Sequence, residues 1–397
     1  MAGPVINGRA DGSFAVQENQ KMENARMQRI AFFIPDLRGA GAERAVCNLL
    51  IELAKRNPRP ELDLVLVNAT GVYLKEIPEA VRIIDLGKHR AIRAILPLVK
   101  YLREGKPSFL IANLSHLNII ASMASRLARS DSALILVEHD ILAPAGFPGK
   151  QWFVQWLMKK LYPHAAGVVA VARNTALDIR GRLELPSGKV RCIYNPVVND
   201  ELLQQAAMPD AHPWLGEKEM PVFLGVGRLV KKKDFAMLIK AFSLVRLQRA
   251  ARLIILGEGE LREELEGYIR QLGLRQDVSL PGFVENPFAY MAHCDAFVLS
   301  SWWEGLANVL IEAMACGCPV ISTDCPGGPR EILQDGEYGM LIPVGDAGAM
   351  ARAMMKTIDS PSDRDKGKKR ADFFSSQRAA DDYLSLMTEI NENIFNR

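Results

Sequence analysis

Residues 296–323 have the sequence AFVLSSWWEGLANVLIEAMACGCPVIST. The stretch opens with an unbroken apolar run and closes with a second short β-branched run, Val320–Thr323. Between the two runs, a polar turn leads into a pattern that is typical of a buried helix. Two strands joined by a helix form the unit of a parallel sheet that is covered on both faces. This stretch therefore predicts an α/β fold.

The same alternation of β-branched runs and helical patterns extends along most of the chain, which therefore predicts parallel sheets in both halves. It stops between residues 195 and 221, where Asn-Pro, Met-Pro and His-Pro steps interrupt every periodicity. Proline restricts both itself and the residue before it, so this stretch is typical of a linker. We expect two Rossmann-like, doubly wound parallel-sheet domains that face each other across a cleft.

A chain of 397 residues is too long for one hydrophobic core, since domains usually contain roughly 100–200 residues. We predict five parts. These are a disordered leader (1–28), an N-terminal domain (29–200), a linker (201–221), a C-terminal domain (222–375) and a C-terminal helix (376–397) that packs back on the N-terminal domain.

The charge balance argues against a nucleic-acid partner. The net charge of +3 is the small difference between 49 basic and 46 acidic residues, whereas nucleic-acid-binding domains usually carry a strong basic excess. No apolar run approaches the roughly 18 residues that span a bilayer, and the start of the chain lacks the apolar core of a signal peptide. We therefore expect a cytoplasmic protein.

Three of the six cysteines, Cys316, Cys318 and Cys325, lie within ten positions. Zinc ligands are usually separated by two to four residues, whereas one residue separates Cys316 from Cys318. We expect buried, reduced thiols and no metal site.

Two glycine turns follow predicted strands in the second half. The first, at residues 225–229, contains Gly227 and Arg228 and is followed by three lysines, Lys231–Lys233. Glycine lets the backbone approach a ligand closely, and arginine offers a planar fork to phosphate oxygens. The second turn, at residues 257–260, opens a helix whose amides can line a cleft. Taken singly, neither segment requires a ligand. The first is explained equally well as a solvated basic turn, and the second as a simple turn before a helix with an acidic start.

Glu304 and Glu312 carry the strongest signal. Glu304 lies in the loop after the strand Ala296–Leu299, and Glu312 follows eight residues later. A helix that starts near Gly305 places Glu312 about two turns inside it. The small apolar residues that follow predict a buried helix, in which a carboxylate is costly unless it is bonded. Sugar hydroxyls satisfy such a carboxylate, and a structural ion pair is the alternative.

In this order and spacing, the motifs of the second half resemble the retaining family-four glycosyltransferases, which have the two-domain GT-B architecture. The motif residues are Gly227-Arg228-Leu229, Lys233, Glu304 and Glu312. The resemblance covers residues 222–353 and includes the segments 280–284 and 324–331. The first half is less specifically similar, through the segments 39–44 and 138–140. The resemblance implies that residues 29–200 bind the acceptor and residues 222–375 bind a nucleotide sugar.

The resemblance also implies a role for each matching residue. Arg228 and Lys233 match the catalytic pair that neutralises the donor diphosphate, and Glu312 matches the carboxylate that binds the ribose hydroxyls. Glu304 and His139 match catalytic residues beside the transferred sugar. The remaining matched positions are Leu306, Ala307 and Asn308 at the sugar hydroxyls, Phe283 and Val284 at the base, and Gly39, Gly41 and Gly227 around the diphosphate.

The chemistry of sugar transfer agrees with these roles. A departing nucleoside diphosphate concentrates negative charge on its phosphate oxygens, and fixed cations in a closed cleft stabilise that charge. Such cations can replace a divalent metal, and no Asp-x-Asp motif stands out. The resemblance thus implies a metal-independent hexosyltransferase with no cofactor, whose co-substrate is a nucleotide diphosphate sugar, with UDP expected as the nucleotide.

The chain departs from the family pattern at Leu306 and Ala307, where many relatives have Phe-Gly. Alanine still offers its amide, but it restricts the turn more than glycine does. The departure bears on the identity of the donor sugar more than on catalysis.

The resemblance implies a glycan or lipid-linked acceptor in cell-envelope polysaccharide, lipopolysaccharide or exopolysaccharide assembly, with peripheral contact at the cytoplasmic membrane face. One helix carries an aromatic face followed by two lysines, and another carries a row of basic residues. They are Trp152, Phe153, Trp156 and Leu157 with Lys159 and Lys160, and Arg90, Arg93, Lys100 and Arg103. Because every helix of such a domain needs a buried face, we expect the aromatic face to pack on its own sheet. An interfacial membrane contact is the alternative.

Two other functions stay open on the sequence. A nucleotide-sugar epimerase or hydrolase of the same architecture fits the spacing of Glu304 and Glu312 less well. A non-catalytic sugar-nucleotide-binding protein would require the loss of a phosphate cation or of Glu312, and neither is missing.

Overall fold

The computed structural model describes residues 29–39, 41–142, 151–209, 212–216, 219–360 and 363–395. The first half of the chain forms a seven-stranded sheet in the order β3-β2-β1-β4-β5-β6-β7, and every strand pair is parallel. The strands are β1 (Arg29–Ile34), β2 (Glu61–Leu66), β3 (Val81–Asp85), β4 (Phe109–Asn113), β5 (Ala133–Glu138), β6 (Gly167–Ala170) and β7 (Val190–Cys192). The helices are α1 (Gly41–Ala54), α2 (Ile95–Gly105), α3 (Ser115–Ala128), α4 (Gln151–Leu161) and α5 (Arg173–Leu183).

The second half forms a six-stranded parallel sheet in the order β10-β9-β8-β11-β12-β13. Its strands are β8 (Val222–Val226), β9 (Arg252–Leu256), β10 (Val278–Gly282), β11 (Ala296–Leu299), β12 (Val320–Thr323) and β13 (Met340–Ile342). Helix α6 (Asp200–Ala206) lies in the connection between the two sheets. The helices after β8 are α7 (Phe235–Arg246), α8 (Arg262–Gln271), α9 (Pro287–His293), α10 (Asn308–Ala315), α11 (Pro329–Ile332), α12 (Ala347–Asp359), α13 (Arg364–Ala371) and α14 (Ser376–Phe395). The predicted fold class is confirmed.

The sequences of the central strands explain why helices cover both faces of each sheet. Every residue of β4, β5, β11 and β12 is buried, so neither face of these strands meets water. Helices α2 to α5 cover one face of the first sheet, and α7, α8 and α12 cover one face of the second. The opposite faces share one apolar core that runs through both halves.

The expectation that the aromatic face of α4 is buried is wrong. Trp152, Phe153 and Trp156 are 73%, 44% and 49% exposed. The helix instead packs through a different stripe with the i, i+3, i+4, i+7 spacing of a core-facing helix. That stripe is Val154, Leu157, Met158 and Leu161. The aromatic residues are left outside because this aliphatic stripe satisfies the need of the helix for a buried face.

The range predicted as a linker contains most of a short helix, α6. The side chain of Asn199 caps its first turn by accepting a hydrogen bond from the backbone N–H of Leu202 (2.8 Å), and Leu202 is buried. A helix of seven residues has fewer than two turns, too short to show a periodic pattern in the sequence. The predicted boundaries of the domains stay predictions.

The chain crosses between the halves a second time near Phe374. The carbonyl of Phe374 accepts hydrogen bonds from the backbone of Val197 and Val198 (3.0 and 3.1 Å), and its ring meets the ring of Tyr194 edge-on at 5.2 Å. Beyond it, α14 lies against α1, where Arg56 pairs with Asp381 at 2.9 Å. The C-terminal helix therefore packs on the first half.

All six cysteines are free thiols, and five of them are buried. The Sγ atoms of Cys294 and Cys318 are 3.1 Å apart beneath β11 and β12. Within the described part of the chain, no helix is long and apolar enough to cross a membrane.

Replacement of Phe374 by alanine tests the second crossing. Phe374 is 1% exposed, so Phe374→Ala is expected to lower the free energy of unfolding by about 3–5 kcal/mol. Phe373→Ala is the matched control, because its ring is only partly buried. Urea unfolding followed by circular dichroism measures both. Equal losses in the two variants would contradict the packing role of Phe374.

Candidate active site

The carboxyl edges of the two sheets face each other, and their loops form a closed cleft. Several hydrogen bonds join the two halves across it, three of them around Gly41, Asp140 and Gly327. These three run from Asn308 Nδ2 to the carbonyl of Gly41 (3.2 Å), from Lys232 Nζ to Asp140 Oδ2 (2.5 Å), and from Asn174 Nδ2 to the carbonyl of Gly327 (3.0 Å). The carboxyl edges of parallel strands are where doubly wound proteins bind ligands.

Glu304 is the anionic centre of the cleft. It is 6% exposed, and its Oε1 accepts hydrogen bonds from Lys233 Nζ and from Ser301 Oγ, both at 2.6 Å. Lys232 Nζ lies 3.8 Å from the other carboxylate oxygen. Burial on its own would raise the pKa of Glu304, but the two lysine charges and these hydrogen bonds outweigh it and hold the pKa below its ordinary value. Glu304 is therefore ionised at neutral pH.

The turn after β8 brings Lys233 to Glu304. Lys231–Lys233 form one turn of 3-10 helix, and Asp234 then caps α7 by accepting a hydrogen bond from the N–H of Met237 (3.3 Å). The lysine stem lies across Gly227, where a Cβ atom would be 3.2 Å from Lys233 Cε. Glycine at 227 thus leaves the room that the lysine needs to reach the carboxylate.

Arg228 is a free cation at the same edge. Its side chain is exposed, and it forms no hydrogen bond or ion pair with any residue that the structure describes. A guanidinium without a partner beside the Lys233–Glu304 pair is available to an anionic ligand.

Glu312 lies one turn inside α10, not two, because the helix begins at Asn308 instead of near Gly305. The segment before it forms a tight turn that ends at Ala307, which has a left-handed backbone with φ of 67°. This left-handed conformation has a higher energy for alanine than for glycine, because the Cβ atom of alanine crowds the backbone. Leu306 and Ala307 are buried, so the turn presents backbone rather than side chains to the cleft.

The carboxylate of Glu312 is half-buried and forms no hydrogen bond or ion pair within the described ranges. Burial raises the pKa of Glu312, and the charges of Arg44 and Lys233 offset part of that rise. Arg44 reaches this region from α1, where it donates a hydrogen bond from Nε to the hydroxyl of Tyr73 (3.0 Å). A carboxylate in this state is stabilised by ligand hydroxyls that donate hydrogen bonds to it.

His139 follows β5 and faces the cleft as a neutral ring. Its Nε2 lies 3.0 Å from Asn113 Oδ1, while Nδ1 is buried without a partner among the described residues. Burial lowers the pKa of His139 to about 4. With the proton placed on Nε2 by the Asn113 contact, Nδ1 is a hydrogen-bond acceptor. The neighbouring Glu138 is fully satisfied by Ser115, Asn118 and Tyr162 and supports the strand end.

The two halves touch directly at Gly305. A Cβ atom there would overlap the carbonyl oxygen of His139 and lie 3.3 Å from Asp140 Cα. Only a residue without a side chain allows the two backbones to approach this closely.

The remaining predicted residues gather at the outer part of the cleft. A Cβ atom on Gly39 would lie 3.8 Å from the ring of Phe283, which is 54% exposed. Val284 packs partly against the shared core. The N–H of Gly39 donates a hydrogen bond to Glu43 Oε2 (2.7 Å), and Gly41 accepts one from Asn308. The structure thus brings predicted residues of both halves together, with Gly39 next to Phe283 and Gly41 bonded to Asn308.

Residues 210–373 match the family model described as glycosyl transferases group 1, and residues 39–201 match the model described as Glycosyltransferase Family 4. The chain is also 31% identical, over 91% of its length and 100% of the relative, to N-acetylgalactosamine-N,N'-diacetylbacillosaminyl-diphospho-undecaprenol 4-alpha-N-acetylgalactosaminyltransferase of Campylobacter jejuni. The chain belongs to the family-four glycosyltransferases.

Solved structures show the same fold. Anabaena HepE in complex with UDP and glucose superposes with a TM-score of 0.73 at 21% identity, covering 93% of this chain and 100% of HepE. Sucrose-phosphate synthase from Thermosynechococcus elongatus gives 0.75 at 18% identity, covering 92% and 100%. The predicted glycosyltransferase activity and GT-B architecture are confirmed, and the comparisons do not support the epimerase or sensor alternatives.

Four residues of this glycosyltransferase cleft were not predicted from the sequence as site residues. Lys232, Arg44 and Ser301 contact or act on predicted residues, and Asp140 pairs with Lys232. Asp140 and Arg44 lie inside the segments 138–140 and 39–44, whose resemblance to the family is the sequence signal that could have identified them. Asp140 meets Lys232 and Arg44 acts on Glu312 across the cleft, so only the folded arrangement reveals these two residues.

Replacement of Gly305 tests the contact between the halves of the glycosyltransferase. Gly305→Ala forces the backbone of residues 139 and 140 away and is expected to reduce kcat/KM about 100-fold, since displacements of about 1 Å have effects of this size. The control is Gly188→Ala, at a glycine where a Cβ atom meets nothing within 4 Å. Steady-state assays on both variants decide the matter, and wild-type activity in Gly305→Ala would contradict the close approach.

The neutral state of His139 makes a prediction about acid stability. Its folded pKa of about 4 lies below the ordinary 6.5, so the unfolded chain binds the proton first as the pH falls. This group therefore lowers the free energy of unfolding by about 2 kcal/mol between pH 7 and pH 5. His139→Gln should lose correspondingly less stability over that interval in urea titrations. His164→Gln, at an exposed histidine, should follow the wild type. Identical acid losses for all three proteins would show that His139 titrates normally.

Proposed function

We propose that this glycosyltransferase transfers a hexose or N-acetylhexosamine, with retention, from a UDP-sugar to a lipid-diphosphate-linked glycan in cell-envelope polysaccharide assembly. One observation carries the proposal. An ionised, buried Glu304 is tied to Lys233, beside an unpaired Arg228 and an unbonded Glu312, in a cleft that both halves close.

The cations fit the donor diphosphate. Arg228 has no protein partner among the described residues, so its guanidinium is free for phosphate oxygens. Lys233 has one carboxylate partner and two remaining donors, which allows it to bridge Glu304 and a phosphate. Together they stabilise the charge that develops on the departing UDP without a metal ion. In the part of the chain that the structure describes, no group of His, Cys, Asp and Glu is arranged to hold a metal.

The uncharged parts of the donor have partners as well. The carboxylate of Glu312, whose pKa is raised by burial, is satisfied by two ribose hydroxyls. The base lies against Phe283 and Val284. The orphaned Nδ1 of His139 accepts a hydrogen bond from a sugar hydroxyl, and the backbone of residues 306–308 donates to others.

The charge state of Glu304 bears on the mechanism. Its carboxylate already accepts two hydrogen bonds and is held by Lys233, so it is a stabilising group and not a free nucleophile. In the proposed reaction, the bond from the anomeric carbon to the phosphate oxygen breaks while the acceptor oxygen bonds to the same face. The acceptor proton passes to the leaving phosphate oxygen.

The acceptor and location are inferred from relatives. The Campylobacter jejuni relative is named for a diphospho-undecaprenol-linked acceptor, and a second relative from that organism, 26% identical over 92% of this chain and 99% of its own length, also has a PP-undecaprenol acceptor in its name. We infer that this chain works in the cytoplasm, peripherally at the membrane face, on a similar lipid-linked glycan.

The test is a transfer assay with UDP-, GDP- and ADP-sugars and a prenyl-diphosphate-linked acceptor, in the presence of EDTA. The expected result is transfer from a UDP-sugar, with an anomeric coupling constant in the product that matches the donor. Sugar release to water would indicate a hydrolase, and an inverted anomeric centre would contradict the mechanism.

Site variants separate the donor roles. Arg228→Ala and Glu312→Ala should each weaken UDP binding by about 10–100-fold, since each removes hydrogen bonds that involve a charged group. A thermal-shift titration measures this, because a ligand that binds only the folded state raises its apparent stability. Arg352→Ala, at an exposed arginine on α12, is the control and should bind UDP normally. Normal binding by both site variants would contradict the site assignment.

A further inference from the structure

One helical layer of the first half carries exposed apolar side chains at two of its helices. Helices α2, α3, α4 and α5 lie side by side on one face of the first sheet, with α3 between α2 and α4. Five exposed residues of this layer define what we call the docking face. They are Ile92 and Leu96, which are 61% and 74% exposed, and Trp152, Phe153 and Trp156.

The three aromatic rings of the docking face contact one another instead of the core. Phe153 stacks on Trp156 with ring centroids 5.8 Å apart, and it meets Trp152 edge-on at 5.9 Å. The aliphatic stripe of α4 anchors the helix in the core, whereas the three rings remain 44–73% exposed. Contiguous exposed apolar side chains on a folded protein mark an interaction surface.

Positive charge surrounds these apolar residues. Between residues 88 and 106 there are six basic residues and one acidic residue. Arg90 and Arg93 form no ion pair with described residues, and Lys160 is likewise unpaired there. Lys159 pairs with the exposed Glu184 at 2.7 Å. Tryptophan side chains next to unpaired basic groups match the boundary of an anionic bilayer, where rings insert and cations meet headgroups.

The position of the docking face relates it to the cleft. Helices that return between parallel strands begin at the carboxyl edge of the sheet. Ile92, Leu96 and Trp152 lie at or near the starts of α2 and α4, and Trp156 lies one turn further along α4. The cleft residue His139 lies at the same edge. A membrane on this face would therefore border the entrance of the cleft.

We propose that the docking face binds the surface of an anionic lipid bilayer and so presents the cleft to lipid-linked acceptors. The second part rests on the proposed function, whereas lipid binding itself does not. A second copy of the chain is a poorer occupant, because a two-fold contact through this face would bring the basic residues of both copies together.

The experiment is co-sedimentation of the full chain with vesicles of phosphatidylcholine, with and without phosphatidylglycerol. The wild type should bind the anionic vesicles and bind neutral ones much more weakly. Trp152→Ser/Trp156→Ser should reduce binding at least about tenfold. Arg90→Gln/Arg93→Gln should reduce it about 30-fold, since each basic residue near an anionic leaflet contributes about 1 kcal/mol.

Matched controls lie on the second half of the chain. Leu247→Ser removes an apolar side chain that is 82% exposed, and Lys240→Gln removes an exposed charge. Both should bind vesicles like the wild type, and unchanged thermal melting of all variants excludes misfolding. Wild-type binding by both docking-face variants, or no vesicle binding by the wild type, would overturn the proposal. Sedimentation of the wild type as a dimer that these variants abolish, without vesicle binding, would assign the face to a second copy.

Transfer to a water-soluble, short-chain acceptor separates this proposal from the proposed function. The docking-face variants should retain that activity within about twofold, because none of their changes touches the cleft. If the wild type binds vesicles but transfers sugar to no lipid-linked acceptor, the result supports lipid binding by the docking face and contradicts the proposed function.

Discussion

A carboxylate buried at the centre of the cleft has to be paired, and the pairing of Glu304 with Lys233 organises the donor half. Leaving such a charge without a partner costs several kcal/mol, so the loop after β11 and the turn after β8 are held in one arrangement. Gly227 leaves room for the side chain of Lys233 to reach the carboxylate, and Ser301 donates a second hydrogen bond to it. The adjacent Lys232 extends the same turn across the cleft to Asp140. One run of lysines therefore links the interior of one half to the surface of the other.

Three titratable groups in the cleft have different charge states because their surroundings differ. Glu304 is kept ionised by two lysines, burial raises the pKa of Glu312, and His139 is kept neutral by burial without a charged partner. The cleft therefore offers a ligand an ionised carboxylate, a carboxylate that favours hydroxyl donors, and a neutral hydrogen-bond acceptor. Environments that separate pKa values in this way are how one site assigns different tasks to similar groups.

The fold followed from the sequence because buried parallel strands are uninterrupted apolar runs, and these are readable without tertiary information. The site residues Arg228, Lys233, Glu304 and Glu312 were predicted from the family resemblance of motifs that lie within one half, and the structure pairs Lys233 with Glu304. Each failure has its own physical cause. The start of α10 was misplaced because Ala307 adopts a left-handed turn that alanine does not signal. The rings of α4 were assigned to the core because hydrophobicity alone does not distinguish two apolar stripes on one helix. Lys232 and Asp140 lie 92 residues apart and meet only when the cleft closes.

The chain is nearly neutral overall, yet it contains two strongly cationic regions, one at the cleft and one on the docking face. These regions suit different partners. The lysine turn and Arg228 lie at the cleft, where Asp140 and Glu304 pair with Lys232 and Lys233 and the exposed Arg228 keeps its charge unpaired among the described residues. The basic residues between 88 and 106 lie outside it, with one acidic residue among them. Charges of the same sign at the cleft and on the docking face attract the same kind of partner from solution, a molecule with phosphate groups. The apolar rings of α4 make the two regions differ, because a lipid surface satisfies both exposed rings and cations whereas a soluble phosphate compound satisfies the cations alone.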